Sequence, residues 1–467
     1  MVHSAGGLGH GLGSLYTAER NRTPLVVLAG QQTRALLTGE PYLMARRATE
    51  FPQPYVKFAV EPARPEDVPL AIAQAFRMAR QAPAGPVFVS IPEDDWDRPA
   101  PPVPLQADPS HAVVPEESLR RLAGVLTGAR HPALVLGSGV SEAARAHAVA
   151  LAEALDADVL VAPLTARAVF PEDHCLFAGF LQPAADRLHK ALSPHDVVAV
   201  IGAPVFTLHV DAGSTLVPEA TRLVHITDSP GDAAGAITGE SLLGDPGDAL
   251  KRLTDLCALA IGEPRPKRPK RPQPRTPPAL PMAENGAPLS PEAALAVVAA
   301  RLPDDAVVLE EAPTHRNAMH AHLPIRAGQR FHVAASGSLG WAMPAAVGMA
   351  LAEPERTVVC LVGDGSSLYS IQSLWTAAQR GTRTVFVVLN NGGYSAMKAF
   401  GRRLGVPEAP GLDLPGIDLT ALAAGFGVTA RRVTTGDDLD TELARAFNAD
   451  RPVLLDVTVG PAAGELY

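Results

Sequence analysis

The sequence predicts an α/β protein built as three domains with mainly parallel sheets, and three features carry that prediction. Short continuous apolar runs rich in Val and Leu alternate with Ala-rich amphipathic stretches along the chain. A strand apolar on both faces belongs in a parallel sheet covered by helices on either side. At 467 residues the chain also exceeds one ordinary domain. Two proline-rich stretches, 92–104 and 264–281, punctuate it. Proline fixes φ and removes a backbone donor, so neither stretch is helix or central strand. They divide the chain into 1–95, 105–260 and 283–467, with 261–282 as a basic linker. Its Arg265, Lys267, Arg268, Lys270 and Arg271 read as solvated charge.

Taken in order, 24–30 (PLVVLAG) and 86–92 (PVFVSIP) read as strands of the first segment, with a helix over 67–80 between them. The second segment offers strands at 132–139 (PALVLGSG), 158–163 (DVLVAP), 196–204 (DVVAVIGAP) and 221–227 (TRLVHIT), with a helix through 142–155. The third offers 306–311 (AVVLEE), 357–365 (TVVCLVGDG), 384–393 (TVFVVLNNGG) and 452–459 (PVLLDVTV).

Apolar residues at 47% supply an ample core, and a net charge of −9 argues against nucleic acid as a partner. No apolar run is long enough to span a bilayer. The start of the chain, crowded with Gly6, Gly7, Gly9, Gly11 and Gly13, does not read as a secretion signal. Its glycine spacing mimics a dinucleotide fingerprint, but no visible strand precedes it. Cys175, Cys257 and Cys360 are far apart, lack metal-ligand spacing, and read as buried free thiols of a reducing compartment. Cytoplasm is the expected location.

The most specific signal lies in the third segment. The strand 357–362 ends in Gly363-Asp364-Gly365, a helical stretch follows over 366–380, and the strand 384–389 ends in Asn390-Asn391-Gly392-Gly393. One βαβ unit makes both strands parallel and brings both loops to the same sheet edge, where open α/β sheets bind ligands. An aspartate carboxylate, an asparagine amide oxygen and the Gly393 carbonyl can then meet at one point. Such a point suits Mg²⁺, which takes hard oxygen ligands and shares its shell with phosphate and water. The helix start aims free N–H groups at the same anion.

Together these two loops resemble the cofactor motif of the thiamine-diphosphate-dependent 2-oxo-acid decarboxylases, above all the benzoylformate decarboxylase branch. The likeness extends to 363–379 (GDGSSLYSIQSLWTAAQ), 388–400 (VLNNGGYSAMKAF), 410–428 (PGLDLPGIDLTALAAGFGV), 334–348 (AASGSLGWAMPAAVG) and 200–206 (VIGAPVF). Nearer the start, 3–15 (HSAGGLGHGLGSL), 24–35 (PLVVLAGQQTRA) and 85–97 (GPVFVSIPEDDWD) resemble it too. The resemblance implies a partial pyrimidine-binding domain, a central domain and a diphosphate-binding domain. It also implies thiamine diphosphate and Mg²⁺ as cofactors, and a homodimer or homotetramer with the cofactor between subunits. The implied reaction is non-oxidative decarboxylation of a 2-oxo acid to an aldehyde and CO₂.

By the same resemblance Asp364, Asn391 and the Gly393 carbonyl hold Mg²⁺, and Gly363, Gly365, Ser366, Ser367 and Tyr394 meet the cofactor. Leu339 is the apolar wedge that bends it. Glu311, Pro313 and Thr314 form a strand-end loop nearby, Ala396 and Phe400 line the substrate pocket, and His3 is a catalytic histidine. His10 and His315 match no functional position. The pattern also departs from the family twice. The family's cofactor-activating glutamate precedes the HSAGG loop, where only Met1 and Val2 stand here, so the first domain reads as incomplete. A second catalytic histidine is expected in a Leu-His-Pro context, where this chain reads Leu289-Ser290-Pro291. Two other functions therefore stand beside the decarboxylase: an acetolactate-synthase-like carboligase, and a thiamine diphosphate-binding protein of impaired turnover.

Overall fold

The computed structural model describes all residues except 105, 108–110, 211, 212, 214, 261–274, 281–287, 407 and 461–467. Three sheets, every paired strand of which runs parallel, carry the chain. The first holds β1 (Val2–His3), β2 (Val26–Gln31), β3 (Ala59–Val60) and β4 (Val87–Pro92) in the order β1-β2-β4-β3. The second holds β5 (Pro132–Leu136), β6 (Asp158–Val161), β7 (Phe177–Phe180), β8 (Val197–Ile201), β9 (Arg222–Thr227) and β10 (Glu240–Leu243), ordered β10-β9-β8-β5-β6-β7. The third holds β11 (Val307–Glu311), β12 (Arg330–Val333), β13 (Val358–Gly363), β14 (Thr384–Asn390), β15 (Thr429–Val433) and β16 (Val453–Thr458), ordered β12-β11-β13-β14-β16-β15.

The central strands are the apolar runs of the sequence, and helices bury them on both faces. In the third sheet one core cluster joins Val308, Val359, Val387 and Leu455 to the helices Pro291–Arg301 and Gly436–Phe447. The opposite cluster joins Val307, Cys360, Phe386 and Leu454 to the helices Ala342–Ala352 and Ser373–Arg380. Cys257 and Cys360 are buried, whereas Cys175 is only half-buried; all three are free thiols. The glycine-rich run near the start lies inside the helix Ser4–Arg20. No helix among the described residues is long and apolar enough to cross a membrane.

The helix expected over 366–380 is divided. One helical turn, Asp364–Ser367, is followed by hydrogen-bonded turns over 368–372, and the regular helix begins at Ser373. The hydroxyl of Ser367 donates to Asp364 O at 2.7 Å, a local bond that competes with a continuous helical ladder. Of the basic linker only 275–280 is described, and there Arg275 N donates to Asp173 O at 2.8 Å.

The first and second lobes both meet the third around Asn21. Asn21 closes the helix Ser4–Arg20 and is 6% exposed. Its Nδ2 donates to Val333 O at 3.1 Å, and its Oδ1 accepts from Ala335 N at 2.9 Å. The Thr17 hydroxyl lies 2.8 Å from that of Ser336, and Arg167 donates to Asn21 O at 2.9 Å.

Candidate active site

The third sheet reverses its strand order between β11 and β13: β12 lies on one side of β11, and β13 and β14 on the other. A switch of this kind opens a crevice at the C-terminal strand ends. β11 pairs Glu311 with Val362, and β13 pairs Gly363 with Leu389. The residues just beyond, 312–315, 364–366 and 391–394, therefore emerge side by side.

They border a cavity of about 370 Å³. Leu339, Gly363, Asp364, Gly365, Ser366, Asn391, Gly393, Tyr394, Ala396 and Phe400 all line it, so ten positions nominated from the sequence meet in one place. Glu311, Pro313 and Thr314 join them. Ser367 does not: it is fully buried, with its hydroxyl turned to the backbone of its own helical turn. His3 does not either. It is exposed on β1 and faces a separate cavity with Gln31, Leu43, Glu93 and Trp96.

Two oxygens define the floor. Asp364 Oδ2 and Asn391 Oδ1 are both buried, and neither has a hydrogen-bond partner. Buried polar atoms are normally paired, and two orphan acceptors on adjacent loops of one cavity fit the needs of a cation. Burial raises the pKa of Asp364, against the pull of the Gly365, Gly393 and Gly392 N–H groups. Gly393 O accepts from Ser395 N at 3.0 Å and keeps a second lone pair. The position requires glycine, since a Cβ there would stand 2.4 Å from Leu412 O. An all-oxygen donor set of this kind fits Mg²⁺ rather than a softer ion.

The end of β11 supports the opposite wall. The carboxylate of Glu311 accepts from the N–H groups of Gly340, Trp341 and Ala342 at 2.6, 2.7 and 2.7 Å, anchoring the loop that carries Leu339. Burial pushes this carboxyl up to about 7, while the three donors pull it down. Gly340 turns that loop with φ +94°, which an L side chain rarely adopts. Beside it, Glu310 accepts from Arg316 Nε at 2.8 Å. Thr314 Oγ1 accepts from Ala396 N at 3.1 Å, tying the helix Ser395–Arg403 to the same strand end.

Histidines complete the cavity in a way the sequence reading did not anticipate. Ser290, at the position read as a missing catalytic histidine, caps the helix Pro291–Arg301 by accepting from Ala293 N at 3.1 Å, and it does not line the cavity. A histidine reaches the cavity from the second lobe instead. His209 lines it and packs edge-on against Phe400, with ring centroids 5.3 Å apart. The adjoining VIGAPVF segment was the available signal. His315, left without a role, is 1% exposed and lies 3.1 Å from the Asn391 amide nitrogen. Burial lowers its pKa to about 4, so the ring is neutral at physiological pH.

A crevice at a strand-order switch, lined by orphan oxygens and glycine turns, has the build of a cofactor-binding site, and comparison with known proteins gives that class its family. Residues 312–457 match the C-terminal TPP binding domain of thiamine pyrophosphate enzymes, and residues 119–253 match their central domain. The chain belongs to the thiamine pyrophosphate enzyme family. It is 41% identical to the benzoylformate decarboxylase of Pseudomonas aeruginosa PAO1, over 98% of this chain and 86% of that one. The crystal structure of benzoylformate decarboxylase from Polynucleobacter necessarius superposes with a TM-score of 0.93 at 37% identity, covering 99% of this chain and 87% of that one. The thiamine diphosphate-dependent 4-hydroxybenzoylformate decarboxylase of Rhodococcus jostii RHA1 gives 0.92 at 38% identity, with the same coverage.

Proposed function

We propose that the chain catalyses Mg²⁺- and thiamine diphosphate-dependent decarboxylation of a 2-oxo acid with an aromatic side chain, giving an aldehyde and CO₂. The observation that carries this reading is the pair of unpartnered buried oxygens, Asp364 Oδ2 and Asn391 Oδ1, at the floor of one cavity. In it Asp364, Asn391 and the Gly393 carbonyl hold Mg²⁺, and Gly363, Gly365 and Ser366 receive the diphosphate. Leu339, on the loop anchored by Glu311, supports the ring system from the side, and Tyr394 closes the floor near Gly365. When bound, thiamine diphosphate supplies a positively charged ring that accepts the electron pair of the breaking carbon–carbon bond.

The chain's own residues supply place and proton. Ala396, Phe400 and Leu164 form an apolar wall suited to an aryl group and to excluding water. His209, which lines the same cavity against Phe400, is the residue assigned to proton transfer with the substrate. His3 can serve the same cavity only from a second copy of the chain, because within one chain it faces elsewhere. The likeness to two benzoylformate-type decarboxylase structures supports the choice of an aromatic substrate.

The test supplies benzoylformate, thiamine diphosphate and Mg²⁺ and measures benzaldehyde, with Asp364→Ala as the variant. Benzaldehyde is expected from the parent chain. The variant should lose Mg²⁺-dependent cofactor binding by calorimetry, and undiminished binding would falsify the metal assignment. Acetolactate from pyruvate, with no aldehyde from any aryl substrate, would move the chain to the carboligases.

A further inference from the structure

We infer that His315 is a positioning residue, which fixes the amide of Asn391 so that its oxygen, and not its nitrogen, faces the cation held by Asp364. The inference rests on the metal site proposed above and concerns what sets its geometry. An asparagine amide is nearly symmetric in shape but not in chemistry. A half-turn about its last torsion exchanges an acceptor for two donors. Only the oxygen can ligate a hard cation; the reverse orientation would point N–H groups at it.

In the structure Asn391 takes the first of these orientations, with its nitrogen toward His315. Its Oδ1 is buried without a partner, and its Nδ2 lies 3.1 Å from Nε2 of His315. The ring sits in the single turn Pro313–His315 at the end of β11, held by the bond from His315 N to Ala312 O at 2.8 Å. At 1% exposure it has little room to swing away. For Nδ2 to donate, Nε2 must be the bare acceptor and the ring proton must sit on Nδ1. That Nδ1 is itself buried without a partner. A buried N–H left unmet is a cost, which the fold tolerates where the orientation it enforces matters. Hydrogen bonds to the far side of a metal ligand are the usual means of aiming it. The same geometry argues against proton transfer to substrate: one ring nitrogen is engaged by Asn391 and the other is shut away from the cavity. His315 therefore acts through Asn391.

The experiment titrates Mg²⁺ calorimetrically into the full chain at saturating thiamine diphosphate. His315→Leu keeps apolar bulk without an acceptor. His315→Gln places a carbonyl oxygen near the position of Nε2. His315→Asn carries the same group one bond too short to reach. Leu and Asn should weaken Mg²⁺ binding about tenfold or more, and Gln should stay within about threefold of the parent, all with similar melting temperatures in the absence of metal. Should the Leu variant fail to fold, the contrast between Gln and Asn decides. Affinity within twofold of the parent for Leu or Asn would overturn the inference. So would a Gln variant as weak as the other two, since that marks loss of ring packing rather than loss of an acceptor. If the parent binds no Mg²⁺, or Asp364→Ala binds it equally well, the metal site itself fails and this inference with it.

Discussion

Single ionisable groups set how the chain responds to pH. His315 and His332 are both held down to about 4, chiefly by burial, with Arg167 and Arg330 adding repulsion at His332. A depressed histidine penalises the folded state once the unfolded chain takes up protons. Stability is therefore intact above about pH 6.5 and drains away as pH falls toward 4. Glu311 works in the opposite sense: its raised carboxyl favours the fold at low pH and opposes it as pH rises through about 7. Burial also lowers His225 and raises Asp364, so three histidines stand against two carboxyls and leave a net loss on acidification below about 6.5. Removing one titrating histidine by His332→Gln should flatten that loss by up to about 1.4 kcal/mol per pH unit, measured by urea unfolding at several pH values. An unaltered slope would place the proton uptake elsewhere. At this scale the sequence was legible where a motif surrounds the residue. Asp364 and Asn391 stand in glycine-bearing turns at two neighbouring strand ends, whereas His209 and His315 acquire meaning only by touching Phe400 and Asn391, contacts that no local pattern encodes.

Among the elements, the central strands were legible and the sheet margins were not. β13 and β14 are continuous apolar runs because both faces are covered. β15 reads TARRV, mostly exposed, and β1 and β3 are only two residues long, so neither hydrophobicity nor period announces them. Nor did the break after Ser367 show, since it depends on a hydroxyl choosing its own backbone. The loop before the helix Ala342–Ala352 is a case where one side chain supports a whole element. Glu311 satisfies three N–H groups at that helix start, and a carboxylate there also complements the helix dipole. Glu311→Ala should cost about 3 kcal/mol in chemical denaturation, as expected for stranding donors that met a charged acceptor, and should weaken thiamine diphosphate binding through Leu339. Glu311→Gln, which keeps an acceptor oxygen, should lose less. Equal stability for Ala and the parent would mean the loop holds itself.

For the whole molecule, the placement of His3 away from the Asp364 cavity predicts self-association if both belong to one catalytic centre. Tyr369 and Trp375, which follow the Asp364–Ser367 turn, are 58% and 57% exposed, an unusual position for large aromatics unless another surface covers them. Sedimentation equilibrium should give at least twice the 48.7 kDa chain mass, and a purely monomeric chain at micromolar concentration would remove His3 from the mechanism. The overall plan of three parallel sheets was readable from the alternation of runs; the polar contacts that join the lobes were not, because each is a single bond between residues distant in sequence. Asn21 is the chief of these, grasping the strand end at Val333 and Ala335 from another lobe. Four residues further on lies Leu339. Wear at that joint would thus surface as a loss of cofactor before it surfaced as a loss of shape, making retention of thiamine diphosphate a gauge of how well the lobes are seated.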